Sequence, residues 1–237
     1  MMKDIKTITL GDRLIGAASF IREGSMIADI GTDHAYLPIW LAQNLKITGA
    51  AACDISYESC VKAEKNIKKY ALEEKIKVVR TDGLNGVEKY APNDIIIAGM
   101  GGELIIGIIS DNVYIRNINV RLILQPMTRQ PLLREYLIRH DFDIIGEALT
   151  TERGRIYQTI CAVYKPVSCA EKDIQMYSGV ELIAGKQNII NRPPLFCEFV
   201  KRQIKQLETK INGKKNAGQI TDTEFESALL KELKELL

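Results

Sequence analysis

Apolar positions follow two alternating rhythms along the first two thirds of the chain. Short, nearly continuous apolar runs at 26–30, 48–55, 76–81, 94–98 and 121–125 predict strands. Between them, at 35–43, 56–70, 101–110 and 130–140, apolar residues recur every three or four positions and predict helices, with a further amphipathic helix at 12–21. The run Ile95-Ile96-Ile97 does not alternate with polar residues, as expected of a strand covered by helices on both faces of a parallel sheet. Two later runs, 142–151 and 156–164, are joined only by Thr151-Glu152-Arg153-Gly154-Arg155. That link is too short for a helical crossover, so the two runs are expected to pair antiparallel.

Beyond Pro166 the strand rhythm stops. A polar segment leads to two predicted helices, 194–214 and 222–237, with apolar stripes of Val200, Ile204, Leu207 and Ile211 and of Phe225, Leu229, Leu233 and Leu236. Thr221 and Glu224 form a capping-box pattern for the last helix, and the connector from Asn212 to Gly218 reads as a reversal. The expectation is an antiparallel coiled-coil hairpin. The domain reading is therefore an α/β domain over 1–165 and a helical hairpin over 166–237.

Composition narrows the class without naming it. With 46% hydrophobic and 26% charged residues, the chain has the make-up of a globular protein. Cys53, Cys60, Cys161, Cys169 and Cys197 are odd in number and lack CxxC spacing, which favours reduced thiols over a disulfide framework or a metal site. No run of about 18 apolar residues and no N-terminal apolar run is present, so a cytoplasmic protein without membrane or metal partners is expected. The net charge of +2 arises in the C-terminal part, where residues 165–237 carry 12 Lys+Arg against 10 Asp+Glu. Lys201, Arg202, Lys205, Lys210, Lys214 and Lys215 there offer a phosphate-binding face, although interspersed Glu198 and Glu208 also fit a solvated helix surface.

The chemistry concentrates at strand ends. Asp29-Ile30-Gly31-Thr32-Asp33-His34 joins the first strand to its helix, and such a turn can aim backbone N–H groups at a ligand. Asp54 closes the next run, 23 residues after Gly31, where a carboxylate takes the hydroxyls of a ribose; Asp82-Gly83 closes the third. Asp29 for an amino group, Asp54 for ribose and Asp82 for an adenine amino group match S-adenosylmethionine in order. A dinucleotide would want glycines where Asp33 and Ala35 stand. Thr32, Asp33, His34, Ile55, Ser56, Gly83, Gly99 and Met100 complete the candidate cofactor contacts. Asp82 beside a glycine is also an ordinary turn residue, and His34 has no triad partner at usable spacing.

The fourth run ends in Ala98-Gly99-Met100-Gly101-Gly102-Glu103, whose small residues permit either a planar acceptor close to the backbone or a tightly packed helix entry. Gln125, at the end of the fifth, reads either as a base-edge contact or as a satisfied loop amide. Asp33, Met100, Gly101, Glu103 and Gln125 form the candidate catalytic set, with Asp33 or Glu103 to stabilise positive charge on a product and Tyr36 or Met100 to stack on a base. Five parallel strands followed by a hairpin is the layout of class I methyltransferases rather than of nicotinamide dehydrogenases.

The segments LGDRLIGAASFI, ADIGTDHAYLP, AACDIS, RTDGL, IIIAGMGGELI and LILQPM resemble those of the bacterial tRNA (adenine-22-N1)-methyltransferase family, closely over about the first 165 residues. The resemblance implies methyl transfer from S-adenosylmethionine to N1 of a tRNA adenine by a Rossmann-like domain, with the helical C-terminal domain helping to hold the RNA. A methyltransferase of another substrate and a non-catalytic RNA-binding protein of the same fold are the alternatives.

Overall fold

The computed structural model describes residues 7–44, 46–166, 177–217 and 223–237. The chain divides into two compact units, Met1–Ser168 and Cys169–Leu237.

In the first unit the elements run α1 (Asp12–Ala18), β1 (Ser25–Ile30), α2 (Tyr36–Gln43), β2 (Ile47–Asp54), α3 (Tyr57–Lys69), β3 (Ile76–Arg80), β4 (Asp94–Met100), α4 (Gly102–Ser110), β5 (Arg121–Pro126), α5 (Gln130–Arg139), β6 (Phe142–Glu152) and β7 (Arg155–Tyr164). The strands form one sheet in the order β3-β2-β1-β4-β5-β7-β6. The first five are parallel, and β7 pairs antiparallel with both β5 and β6. Arg153 and Gly154, both at positive φ, make the two-residue turn that matches strand twist. Ile95, Ile96, Ile97, Leu122, Ile123 and Leu124 are fully buried, as their unbroken apolar pattern requires. Helices α1, α2 and α3 touch in succession, whereas α4 packs on α5. The chain order reverses between β1 and β4, and the carboxyl ends of these neighbours open the crevice where ligands bind in such sheets.

Helix α1 is shorter than the predicted 12–21. The Phe20 and Ile21 N–H groups bond three residues back, to Ala17 and Ala18, and Ser19 Oγ donates to the Gly16 carbonyl, so the last turn tightens and stops. Burial pushes the Cys53 and Cys161 thiols up to about 12, which makes both inert near neutrality.

The second unit contains α6 (Gly179–Ala184), α7 (Lys186–Asn191), α8 (Phe196–Asn216) and α9 (Glu224–Glu235). The segment read as merely polar thus holds two helices of six residues, too short to display a period. A capping box starts the first: Ser178 Oγ accepts the Glu181 N–H at 3.2 Å while Glu181 Oε2 accepts the Ser178 N–H at 2.8 Å. Helix α8 continues through Gly213 to Asn216, where a reversal was expected to begin. A helical glycine costs only about 1 kcal/mol, and buried Ile211 with the Lys214–Glu226 pair offsets it. The proposed cap Thr221 lies outside the described residues. Lys210 and Lys214 bond Glu226 while Lys234 bonds Glu208, so α8 and α9 run antiparallel. The two ammonium groups hold the Glu226 carboxyl down at about 2.

Candidate functional site

The first turn of the site is folded onto β2 rather than open toward a ligand. Gly31 and Thr32 donate their N–H groups to the Cys53 carbonyl at 2.8 and 3.0 Å, and the Asp33 N–H reaches Asp54 Oδ2 at 3.2 Å. Three donors expected to face an incoming group are therefore used within the protein.

What the turn offers instead is oriented carboxylates. Asp54 Oδ1 accepts the Ser56 N–H at 2.9 Å, so both oxygens of this half-buried group are fixed by backbone donors. Asp29 is 6% exposed, and its Oδ2 accepts the Thr32 hydroxyl at 2.6 Å. Burial raises the Asp29 carboxyl to about 6, opposed by the Thr32 hydrogen bond and by Arg13, and reinforced by the charge of Asp54. The Thr81 N–H donates to the Asp54 carbonyl, which sets exposed Asp82 beside that strand end. Gly83 and Asp82 help line a cavity of about 300 Å³ that continues along Leu104, Gly107 and Ile108 of α4. Ile55, 62% exposed, presents an apolar face next to Asp54.

Gly31 is required twice over. Its φ is +75°, and a Cβ there would overlap the Met100 methyl group. The glycines at the end of β4 and the entry to α4 divide between the two roles proposed for them. A Cβ on Gly102 would stand 2.8 Å from the Thr128 and Arg129 carbonyl oxygens, and one on Gly101 3.2 Å from Thr128 Oγ1, so these two serve close packing of the α4 entry. Gly99, exposed at φ +81°, is the one that shapes the rim.

The acceptor-side candidates are not equivalent. Gln125 is fully buried, its Oε1 accepting Arg13 Nη1 at 2.6 Å and the Gly99 N–H at 3.1 Å, with Nε2 3.7 Å from Met127 Sδ. It supports the rim from behind, as a satisfied amide, and presents no edge to a base. Glu103 is exposed and pairs with Arg129 Nε at 3.4 Å. Asp33 lies 3.2 Å from His34 Nε2 and 3.5 Å from Lys62 Nζ. The His34 ring stacks on Tyr36 at 5.0 Å and 10°, an exposed aromatic pair at the start of α2. Arg13, absent from the predicted site, enters it from α1; only the distance of that helix in sequence hid it. Among the described residues no cluster of His, Cys, Asp or Glu can hold a metal ion, and no helix is long and apolar enough to cross a membrane.

An open α/β sheet with acidic residues at three successive strand ends fits a methyltransferase, and residues 10–160 match the methyltransferase domain model. The chain is 33% identical over 230 residues to the tRNA (adenine(22)-N(1))-methyltransferase of Bacillus subtilis strain 168, covering 95% of this chain and 93% of that one. It belongs to the tRNA (adenine(22)-N(1))-methyltransferase family. The crystal structure of Streptococcus pneumoniae Sp1610 superposes with a TM-score of 0.83 at 30% identity, over 97% of this chain and 100% of that one. The same protein in complex with S-adenosyl-L-methionine gives a TM-score of 0.79 at 30% identity, over 95% and 99%.

Proposed function

We propose that the chain methylates N1 of adenine 22 in tRNA, in the cytoplasm, using S-adenosylmethionine. The observation that carries this reading is the likeness to the Bacillus subtilis enzyme, which runs through both compact units. The residues at the crevice fit the cofactor. Asp54, with both oxygens oriented, receives the ribose hydroxyls; buried Asp29 receives the amino group; Ile55 covers a face of the adenine ring and Asp82 its amino edge. Gly31 keeps the floor free of a Cβ.

When bound, S-adenosylmethionine supplies an electrophilic methyl group, which the in-plane N1 lone pair of adenine attacks while sulfur keeps the bonding electrons. No proton leaves N1, so the chain aligns the base rather than deprotonating it. The His34–Tyr36 pair offers an aromatic surface to a base turned out of the RNA. Asp33, which follows the Gly31 turn and is 55% exposed against 68% for Glu103, is the carboxylate that answers the positive charge of the product. Residues 1–165 then form the catalytic domain and 166–237 contact the tRNA.

The test is methylation of unmodified tRNA by the purified protein with labelled cofactor, followed by nucleoside analysis and position mapping. Label in 1-methyladenosine at position 22 is expected; saturated cofactor binding without any labelling of tRNA sinks the reading. Charge reversal of exposed Lys201 and Lys205 on α8 tests the second unit: the KM for tRNA should rise and its salt dependence fall, with cofactor binding unchanged.

A further inference from the structure

The β6–β7 hairpin overhangs the carboxyl edge of the sheet beside β5. Leu124 of β5 pairs with Ile160 of β7; beyond that rung β5 stops at Pro126, whereas β7 reaches back to Arg155. At about 3.3 Å per residue, the hairpin outreaches β5 by about 10 Å. Arg13 ties it to the rim, with Nη1 2.6 Å from Gln125 Oε1 and the guanidinium 5.9 Å from the centre of the Tyr157 ring. Charges at the tip are sorted by direction. Glu152 turns back to α1: its Oε2 lies 3.9 Å from Arg13 Nε, and its Oε1 packs so close over Gly11 that a Cβ there would collide with it. Arg153 and Arg155 are exposed, and their guanidinium groups have no ion-pair or hydrogen-bond partner among the described residues.

Neither of two arginines at this edge suits its backbone. Arg153 holds φ +48° in a turn that favours Asn, Asp or Gly. Arg129 holds φ +57° as the N-cap of α5 and makes no side-chain cap there. Its side chain pairs with Glu103 at 3.4 Å, both 68% exposed, a contact weak enough for a phosphate to displace. Arginine kept at a strained, exposed position at the rim of a site points to a ligand rather than to the turn. Backbone phosphates match it, because each can accept both N–H groups of the guanidinium fork. We propose that Arg129, Arg153 and Arg155 bind tRNA backbone phosphates flanking the target adenine, so that the methyltransferase unit carries an RNA-binding surface of its own. The inference rests on the tRNA reading above and adds to the contact given there to 166–237.

Fluorescence anisotropy of unmodified tRNA, titrated with the full chain at several salt concentrations, tests the surface. Arg153→Asn/Arg155→Gln keeps a residue suited to the left-handed turn position. Its affinity should fall about tenfold at about 0.1 M salt, and the slope of log affinity against log salt should shrink by about 1.5, the share of two phosphate contacts. Adding Arg129→Gln should shrink the slope further. Lys68→Gln/Lys69→Gln removes the same charge from the last turn of α3, at the opposite edge of the sheet, and should leave affinity and slope close to wild type. Calorimetric binding of S-adenosylhomocysteine should be unchanged in every variant. An unchanged slope in the arginine variants, an equal loss in the lysine variant, or a parallel loss of S-adenosylhomocysteine binding each overturns the assignment. A wild type that binds S-adenosylhomocysteine but no tRNA overturns the tRNA reading itself, and this inference with it.

Discussion

The Asp54 carboxylate holds the Asp33 N–H at 3.2 Å, so the second strand's acidic residue is also what closes the first strand's turn. With its other oxygen on the Ser56 N–H, Asp54 joins two loops that sequence separates by more than twenty positions. Changing it should therefore cost both binding and order. For Asp54→Asn, S-adenosylhomocysteine affinity should fall by about tenfold to a hundredfold, as expected on weakening hydrogen bonds to a charged group. Titration calorimetry measures the first effect; faster amide exchange at Asp33 and Ser56 reports the second.

Cofactor binding through Asp29 should depend on pH. Its carboxyl titrates at 3.8 when unfolded and at about 6 when buried in the fold. Between those values the native chain keeps a proton that the unfolded chain has lost, so Asp29 lowers the stability of the cofactor-free protein as pH rises from about 4 to 6. An ammonium group favours the ionised form. Affinity should thus rise with pH up to about 6, at most tenfold per unit, with a proton released on binding below that value. Calorimetry in buffers of different ionisation enthalpy counts the proton, and Asp29→Asn should abolish the slope.

Gly31→Ala should be damaging through the backbone and the side chain together. A left-handed conformation costs a non-glycine residue about 1–2 kcal/mol, and the new methyl collides with Met100. The double variant Gly31→Ala/Met100→Ala removes the collision and leaves the backbone cost. Thermal unfolding should therefore place it between Gly31→Ala and the level set by Met100→Ala alone.

A buried ion network ties α5 to the β6–β7 hairpin. Arg134 is fully buried, with Nε and Nη2 both 2.7 Å from Glu147 Oε1 and Nη2 2.7 Å from Gln158 Oε1. Removing one partner leaves a buried charge, so Arg134→Leu should lose about 3–5 kcal/mol in urea unfolding. Arg134→Leu/Glu147→Leu should recover part of that loss. A double variant no better than the single would show that shape, not the stranded charge, sets the cost.

The strands, their parallel order up to the hairpin, and the acidic residues at the ends of the first three were legible in sequence because they are local. A continuous apolar run such as Ile95–Ile97 has one physical outcome in a sheet covered on both faces, and Arg153-Gly154 has one turn to make. Asp29, Gly31 and Asp54 stood out in sequence because a carboxylate or a glycine interrupts an apolar run where the strand ends. The six-residue α6 and α7 escaped because two turns are too few to show a period, and α8 ran on through Gly213 because burial and an ion pair outweigh propensity. Only tertiary structure could decide where polar groups are spent. It turned the Gly31, Thr32 and Asp33 donors onto β2, withdrew Gln125 into the interior, and brought Arg13 across more than a hundred residues to meet it. Hydrogen-bond partners are chosen by position in space, and no pattern along the chain encodes the direction in which a donor points.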